Sequence, residues 1–150
     1  MSFEYPEQVS FECERCALCC GDTEYKFRSI LLLKGEADRI SEANLLGLDI
    51  FAEKIQGFEP YIYRMKKSRN RKCVFLKGNS CSIYETRPLI CRFYPFQLKS
   101  PREKGYVFEY TDECPGIGKG SQLKKAFFEQ LFRRFIDSME KSRESSDVFT

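Results

Sequence analysis

Four of the eight cysteines lie within eight residues, in the run Cys13-Glu-Arg-Cys16-Ala-Leu-Cys19-Cys20. Two successive Cys-x-x-Cys steps bring three thiolates onto one short loop, and thiolates so placed converge on soft metals: zinc, copper(I) or iron–sulfur clusters. The other four, Cys73, Cys81, Cys91 and Cys114, are spread over the second half. There is no histidine, so a soft-metal site in this chain is built from sulfur, with a carboxylate or an exogenous ligand as the only supplement.

A zinc ion and a [4Fe–4S] cluster both take four thiolates. Cys-x2-Cys-x2-Cys followed by a remote Cys-Pro is the bacterial way of holding cubanes, and here Cys13, Cys16 and Cys19 have that spacing while Cys114-Pro115 supplies the remote pair. Zinc sites pair two short Cys-x2–4-Cys steps. The second half offers no second short step, since seven residues separate Cys73 from Cys81 and nine separate Cys81 from Cys91. Neighbours in extended backbone point to opposite faces, so Cys19 and Cys20 are expected to serve different centres. One centre would use Cys13, Cys16, Cys19 and Cys114, the other Cys20, Cys73, Cys81 and Cys91, with swapped pairings left open.

These residues need a frame. At 150 residues the chain is expected to be one domain, residues 1–143, with a frayed tail over 144–150. It carries 14 Phe and 8 Tyr but no Trp, and its net charge of +3 says little about partners. Its longest aliphatic run, Ile30–Leu33, is too short to cross a membrane. The N-terminus has no basic and apolar secretory signal, so a cytoplasmic location is expected. In that reducing compartment eight cysteines favour metal or redox chemistry over disulfides.

Strands are expected over Tyr25–Leu33, Tyr61–Lys66, Cys73–Leu76 and Gly105–Thr111, with a turn at Lys77-Gly78-Asn79. Helices are expected from Lys34 or Gly35 to Leu46 with Gly47 as stop, over Asp49–Gln56, as a single turn within Ser82–Arg87 stopped by Pro88, and from Ser121 as cap to about Ser142. Leu123, Phe127 or Phe128, Leu131, Phe135 and Met139 stripe the last helix. The pattern is a small α+β domain with cysteine-rich metal-binding loops and a long C-terminal amphipathic helix, its loops ordered by bound metal.

The ordered set Cys13-x2-Cys16-x2-Cys19-Cys20, Cys73-Val-Phe-Leu, Gly78-Asn-Ser-Cys81-Ser-Ile-Tyr84-Glu-Thr-Arg87-Pro88-x2-Cys91-Arg92-Phe-Tyr94-Pro95-Phe96 and Cys114-Pro-Gly116-Ile-Gly118-Lys-Gly120 resembles the CxxCxxCC family over about residues 11–122. That family is described as zinc- or iron-chelating, contains small uncharacterised bacterial and archaeal proteins, and is related to flagellin lysine N-methylases. The resemblance implies that all eight cysteines chelate metal. It implies far less about activity, and whether the chain is an enzyme stays open.

Other residues carry two readings. Arg87 and Arg92 bracket Cys91 and could bind the charge of a cluster or an anionic substrate, or bond to carbonyls and Glu85. Tyr84 and Tyr94 could donate to sulfur or simply pack. Arg87, Arg92 and Tyr94 are therefore the candidate cofactor-binding residues. Gly116–Ser121 could bind an anion at a helix start, but it lacks P-loop and dinucleotide spacing and reads better as a tight turn that lets Cys114 reach a metal. No S-adenosylmethionine site is identifiable, and the radical-type Cys-x3-Cys-x2-Cys is absent. Residues 64–72 hold six basic residues and no acid, and without them the chain's +3 becomes −3. That patch suits nucleic acid, though a solvated loop or hairpin tip is the preferred reading.

Three functions follow in order. The first is a metal-binding protein holding iron, as an iron–sulfur cluster, or zinc through all-cysteine sites, with a redox or metal-handling role and a protein partner. The second is an iron–sulfur-dependent protein lysine N-methylase-like enzyme. The third is a zinc-stabilised nucleic-acid module using residues 64–72.

Overall fold

The computed structural model describes residues 2–13, 20–22, 27–100 and 105–148, with the backbone alone for 143–148. The fold is α+β, as expected, and is built around two hydrophobic clusters.

The first cluster sits under an antiparallel sheet in which β5 (Tyr63–Met65) lies between β3 (Leu31–Leu32) and β4 (Ala52–Lys54). Helix α1 (Lys34–Asn44) covers it with Ala37 and Ile40, both fully buried. Those two lie three residues apart, on one face of the helix. No side chain caps the start of α1. Instead the Glu36 carboxylate accepts the Leu33 N–H at 3.0 Å. The helix stops two residues before the expected Gly47, because Leu45 turns left-handed (φ 53°) and the Leu46 N–H donates to the Ser41 carbonyl. A one-turn helix α2 (Leu48–Phe51) then buries Phe51 against Phe75.

The second cluster is aromatic. Strands β8 (Phe96–Lys99) and β9 (Tyr106–Tyr110) pair antiparallel, and β1 (Phe3–Glu4) adds to β9 in parallel. Helix α4 (Lys125–Val148) packs its stripe across the aromatic side chains of these strands. Phe128, fully buried, lies 5.1 Å from Tyr5, Phe96 and Phe108, ring centroid to ring centroid. The short helix α3 (Leu89–Phe93) links the two clusters. Its Leu89 and Phe93, four apart and so on one face, enter the aromatic cluster, while Cys91 packs against the first.

Several expectations needed correction. Of Tyr25–Leu33, residues 25 and 26 lie outside the described residues, and of the rest only Leu31–Leu32 is strand. The Arg28 N–H donates to the Asp22 carboxylate rather than to a neighbouring strand. The expected helix over Asp49–Gln56 gives way after Phe51, because Ala52–Lys54 pair with Tyr63–Met65. A four-residue helical nucleus is too weak to resist that ladder. Cys73–Leu76 is a turn closed by the Leu76 N–H on the Cys73 carbonyl, and the hairpin starts with β6 (Leu76–Lys77) and returns through β7 (Ser80–Cys81) around Gly78. Ser121 does not cap α4. It lies in β10 (Ile117–Gln122), which pairs antiparallel with β2 (Ser10–Phe11). Gly118 and Gly120, at φ 90° and 78°, bend that strand out of register, a conformation that glycine adopts without steric cost. The backbone of α4 stays helical through Val148, beyond Ser142.

Phe128→Ala is expected to destabilise the domain by about 3–5 kcal/mol, read as a shift in the urea unfolding midpoint. An unchanged midpoint would mean that the aromatic cluster is not a core.

Candidate metal centre

Each end of the cysteine run is fixed to a distant segment that carries another cysteine. At the N-terminal end, the Glu12 N–H donates to the Gly116 carbonyl at 3.1 Å. A Cβ on Gly116 would stand 2.2 Å from the Glu12 carbonyl oxygen, so only glycine permits this approach. Cys13 therefore leaves from beside the loop that contains Cys114. Cys13 is exposed and Cys114 is buried.

At the C-terminal end, the Cys73 N–H donates to the Cys20 carbonyl, and the Asp22 N–H to that of Arg71 at 3.0 Å. Gly21 (φ 144°) bridges to Lys72, and a Cβ there would lie 2.5 Å from the Arg71 carbonyl oxygen. Cys20, Cys81 and Cys91 are half-buried and pack against the cluster that contains buried Cys73. Cys81 is held by its pairing with Leu76, and Cys91 by α3. Cys16 and Cys19 lie outside the described residues. Among the described residues, no three cysteine or carboxylate side chains stand close enough together to hold a metal ion.

Polar groups fix the surrounding segments. Asp22 is buried. It takes an ion pair from Lys67 at 2.5 Å and the Arg28 N–H at 2.9 Å, and its carbonyl accepts the Lys72 ammonium at 2.7 Å. The Lys67 hydrogen bond, followed by that from the Arg28 amide, holds the Asp22 carboxyl below its usual range. Glu36 behaves oppositely. Burial raises its pKa, although it accepts N–H groups from Leu33 and from Leu89, the first residue of α3. One carboxylate thus ties α1 to the helix that carries Cys91.

The arginines bracketing Cys91 contact the turn before it. Arg87 donates from Nε to the Tyr84 carbonyl at 3.0 Å and lies 3.8 Å over the Tyr84 ring. Arg92 donates from Nε to the Arg87 carbonyl at 3.1 Å and from Nη2 to the Glu85 carbonyl at 2.7 Å. Burial, then the positive charges of Arg134, Arg87 and Arg39, hold Arg92 below its usual pKa.

Tyr94 is joined by a residue that the sequence reading did not single out. Arg28 lies 5.1 Å over its ring, reaches its hydroxyl at 3.5 Å and pairs with Glu113 at 2.8 Å. Arg28 and Cys91 share the wall of a cavity of about 460 Å³ that Tyr61, Tyr94 and Phe135 also line. Arg28 could be recognised only by its place in the fold, because it lies outside every cysteine motif.

The basic segment is a hairpin tip closed by the Ser68 N–H on the Lys72 carbonyl. Charges of this segment are engaged among the described residues: Arg64 with Glu53, Lys66 with the Asp49 carbonyl, and Lys67 and Lys72 with Asp22, which Arg71 also attracts. Among the described residues, no helix is long and apolar enough to cross a membrane.

The family model described as "CxxCxxCC: Putative zinc- or iron-chelating domain" matches residues 12–115. The chain belongs to this family. All eight cysteines lie within the matched residues. Two relatives come from Methanocaldococcus jannaschii. The uncharacterized protein MJ0939 is 28% identical over 129 residues, and the uncharacterized protein MJ0661 is 26% identical over 121 residues. The alignments cover 82% and 77% of this chain but only 42% and 63% of those proteins. No solved structure matches the chain.

Two expected outcomes test this arrangement. Gly21→Ala should lower both metal content and melting temperature, whereas Gly35→Ala, where a Cβ meets nothing within 4 Å, should change neither downward. Equal behaviour of the two variants would refute the close approach. In metal-free protein, the stability contributed by Asp22 is present above the ordinary carboxylate pKa and fades as pH falls through its lowered value. Asp22→Asn should therefore flatten the acid limb of the unfolding-midpoint curve, and an unchanged limb would show that the Lys67 pair contributes nothing.

Proposed function

We propose that the protein is an iron-binding, cysteine-ligated metal protein with a redox or metal-handling role. In this reading Cys13, Cys16, Cys19 and Cys114 form one centre, and Cys20, Cys73, Cys81 and Cys91 form the other. The observation that carries it is the double anchoring of the cysteine run, with Glu12 on Gly116 and Cys20 on Cys73. That anchoring puts Cys13 near Cys114 and Cys20 near Cys73, which supports this division.

The donor set suits the group. It is all sulfur, and thiolates select soft or borderline metals. Spacing favours iron as a [4Fe–4S] cluster over zinc, because Cys-x2-Cys-x2-Cys with a remote Cys-Pro surrounds a cubane. Such a cluster would supply one-electron chemistry. The chain's own residues would supply the thiolates, bury two of them, Cys73 and Cys114, and leave the cavity beside Cys91 as an approach for a small ligand. Thiolates of this kind call for a reducing compartment, the cytoplasm. Metal binding would complete the folding of the loops, since a site with so many segments costs chain entropy to assemble.

Cys91→Ser and Cys114→Ser separate the two centres. Each variant, purified anaerobically, is expected to lose the metal of its own centre, keep that of the other, and melt at lower temperature. Unchanged metal stoichiometry in both would refute cysteine ligation. Loss of all metal in each would replace two centres with one.

A further inference from the structure

Resting on the metal reading above, we infer that Arg28 is a positioning residue of the centre formed by Cys20, Cys73, Cys81 and Cys91, its guanidinium lying among the cysteine segments and its Nε–H donating to ligand sulfur. Arg28 touches three segments that each carry a candidate ligand. Its backbone N–H holds Asp22, two residues after Cys20. Its Nη2 pairs with Glu113, the residue before Cys114, at 2.8 Å. Its guanidinium covers Tyr94, three residues after Cys91, and it lines the same cavity as Cys91.

The side chain is 15% exposed, and its Nε is fully buried with no hydrogen-bond partner among the described residues. A buried, unpartnered guanidinium N–H is costly, and native proteins rarely keep one without a reason. Sulfur ligands supply the reason. Four thiolates around a divalent ion, or around a cubane, leave a net negative centre. A buried cation offsets that charge, and N–H donors to sulfur tune the potential and orient the ligands. Arg87 and Arg92, the arginines adjacent in sequence, spend their donors on the carbonyls of Tyr84, Arg87 and Glu85. Arg28 alone among the three keeps a buried donor in reserve.

The test uses the full chain, reconstituted with cobalt(II) and, separately, with zinc. Arg28→Lys keeps the charge and removes the Nε–H, and Arg28→Gln removes both. Cobalt affinity is expected to fall roughly tenfold in Arg28→Lys and further in Arg28→Gln. The sulfur-to-cobalt charge-transfer band should shift in both, while the metal-free proteins melt with wild type. A merely structural Arg28 would lower metal-free melting and leave the band in place. In the wild-type chain, nitrogen NMR of arginine Nε–H should show that of Arg28 shifting and gaining exchange protection on zinc loading. Wild-type affinity and band in Arg28→Lys, with an unmoved Nε–H signal, would overturn the inference while leaving the metal reading intact. A wild-type chain that binds neither metal, and carries no iron when purified without oxygen, would overturn both.

Discussion

The structure depends on two places where a backbone approaches another too closely for any side chain. Gly116 lies against the Glu12 carbonyl, and Gly21 against Arg71 and Lys72. These contacts hold the two ends of a cysteine-rich loop whose own sequence offers little to pack. Cys13 therefore starts beside the segment of Cys114, and Cys20 lies beside Cys73. Burial alone would not achieve this, because hydrophobic contact is non-directional.

The remainder of the fold serves to hold those distant segments. The sheet of β3, β5 and β4 positions the turn that carries Cys73, and the adjoining hairpin carries Cys81. Helix α3 has only five residues and could not persist by itself. Pro88 begins it, the Glu36 carboxylate receives its first N–H, and Leu89 and Phe93 anchor it in the aromatic cluster, which leaves Cys91 facing the other cluster. The raised pKa of Glu36 is the electrostatic cost of that junction: the fold binds its proton more tightly than the open chain does, so this carboxyl opposes stability as pH rises through its raised value.

Much of this was legible in the sequence. Helix α1, β5, β9 and the body of α4 follow from periodicity, and the metal-chelating character follows from the cysteine spacing. The errors have local causes. β10 reads as a glycine-rich turn because Gly118 and Gly120 mask a strand whose partner, Ser10–Phe11, lies more than a hundred residues away. The extent of α2 was overestimated because β4 is specified by its ladder and not by Ala52-Glu53-Lys54 themselves. Arg28 was invisible because its importance comes from Asp22, Tyr94 and Glu113, none of which is near it in a motif. Arg87 and Arg92 carry hydrogen bonds that brace the turn before α3, one of the two roles their place beside Cys91 allows.

The central claim is that sulfur from this chain surrounds a metal. X-ray absorption at the metal edge, on full-length protein purified without oxygen, tests it most directly. The account predicts stoichiometric iron with a shell of sulfur alone and iron–iron scattering beyond it. A shell dominated by oxygen or nitrogen, or a chain without stoichiometric metal, would contradict it.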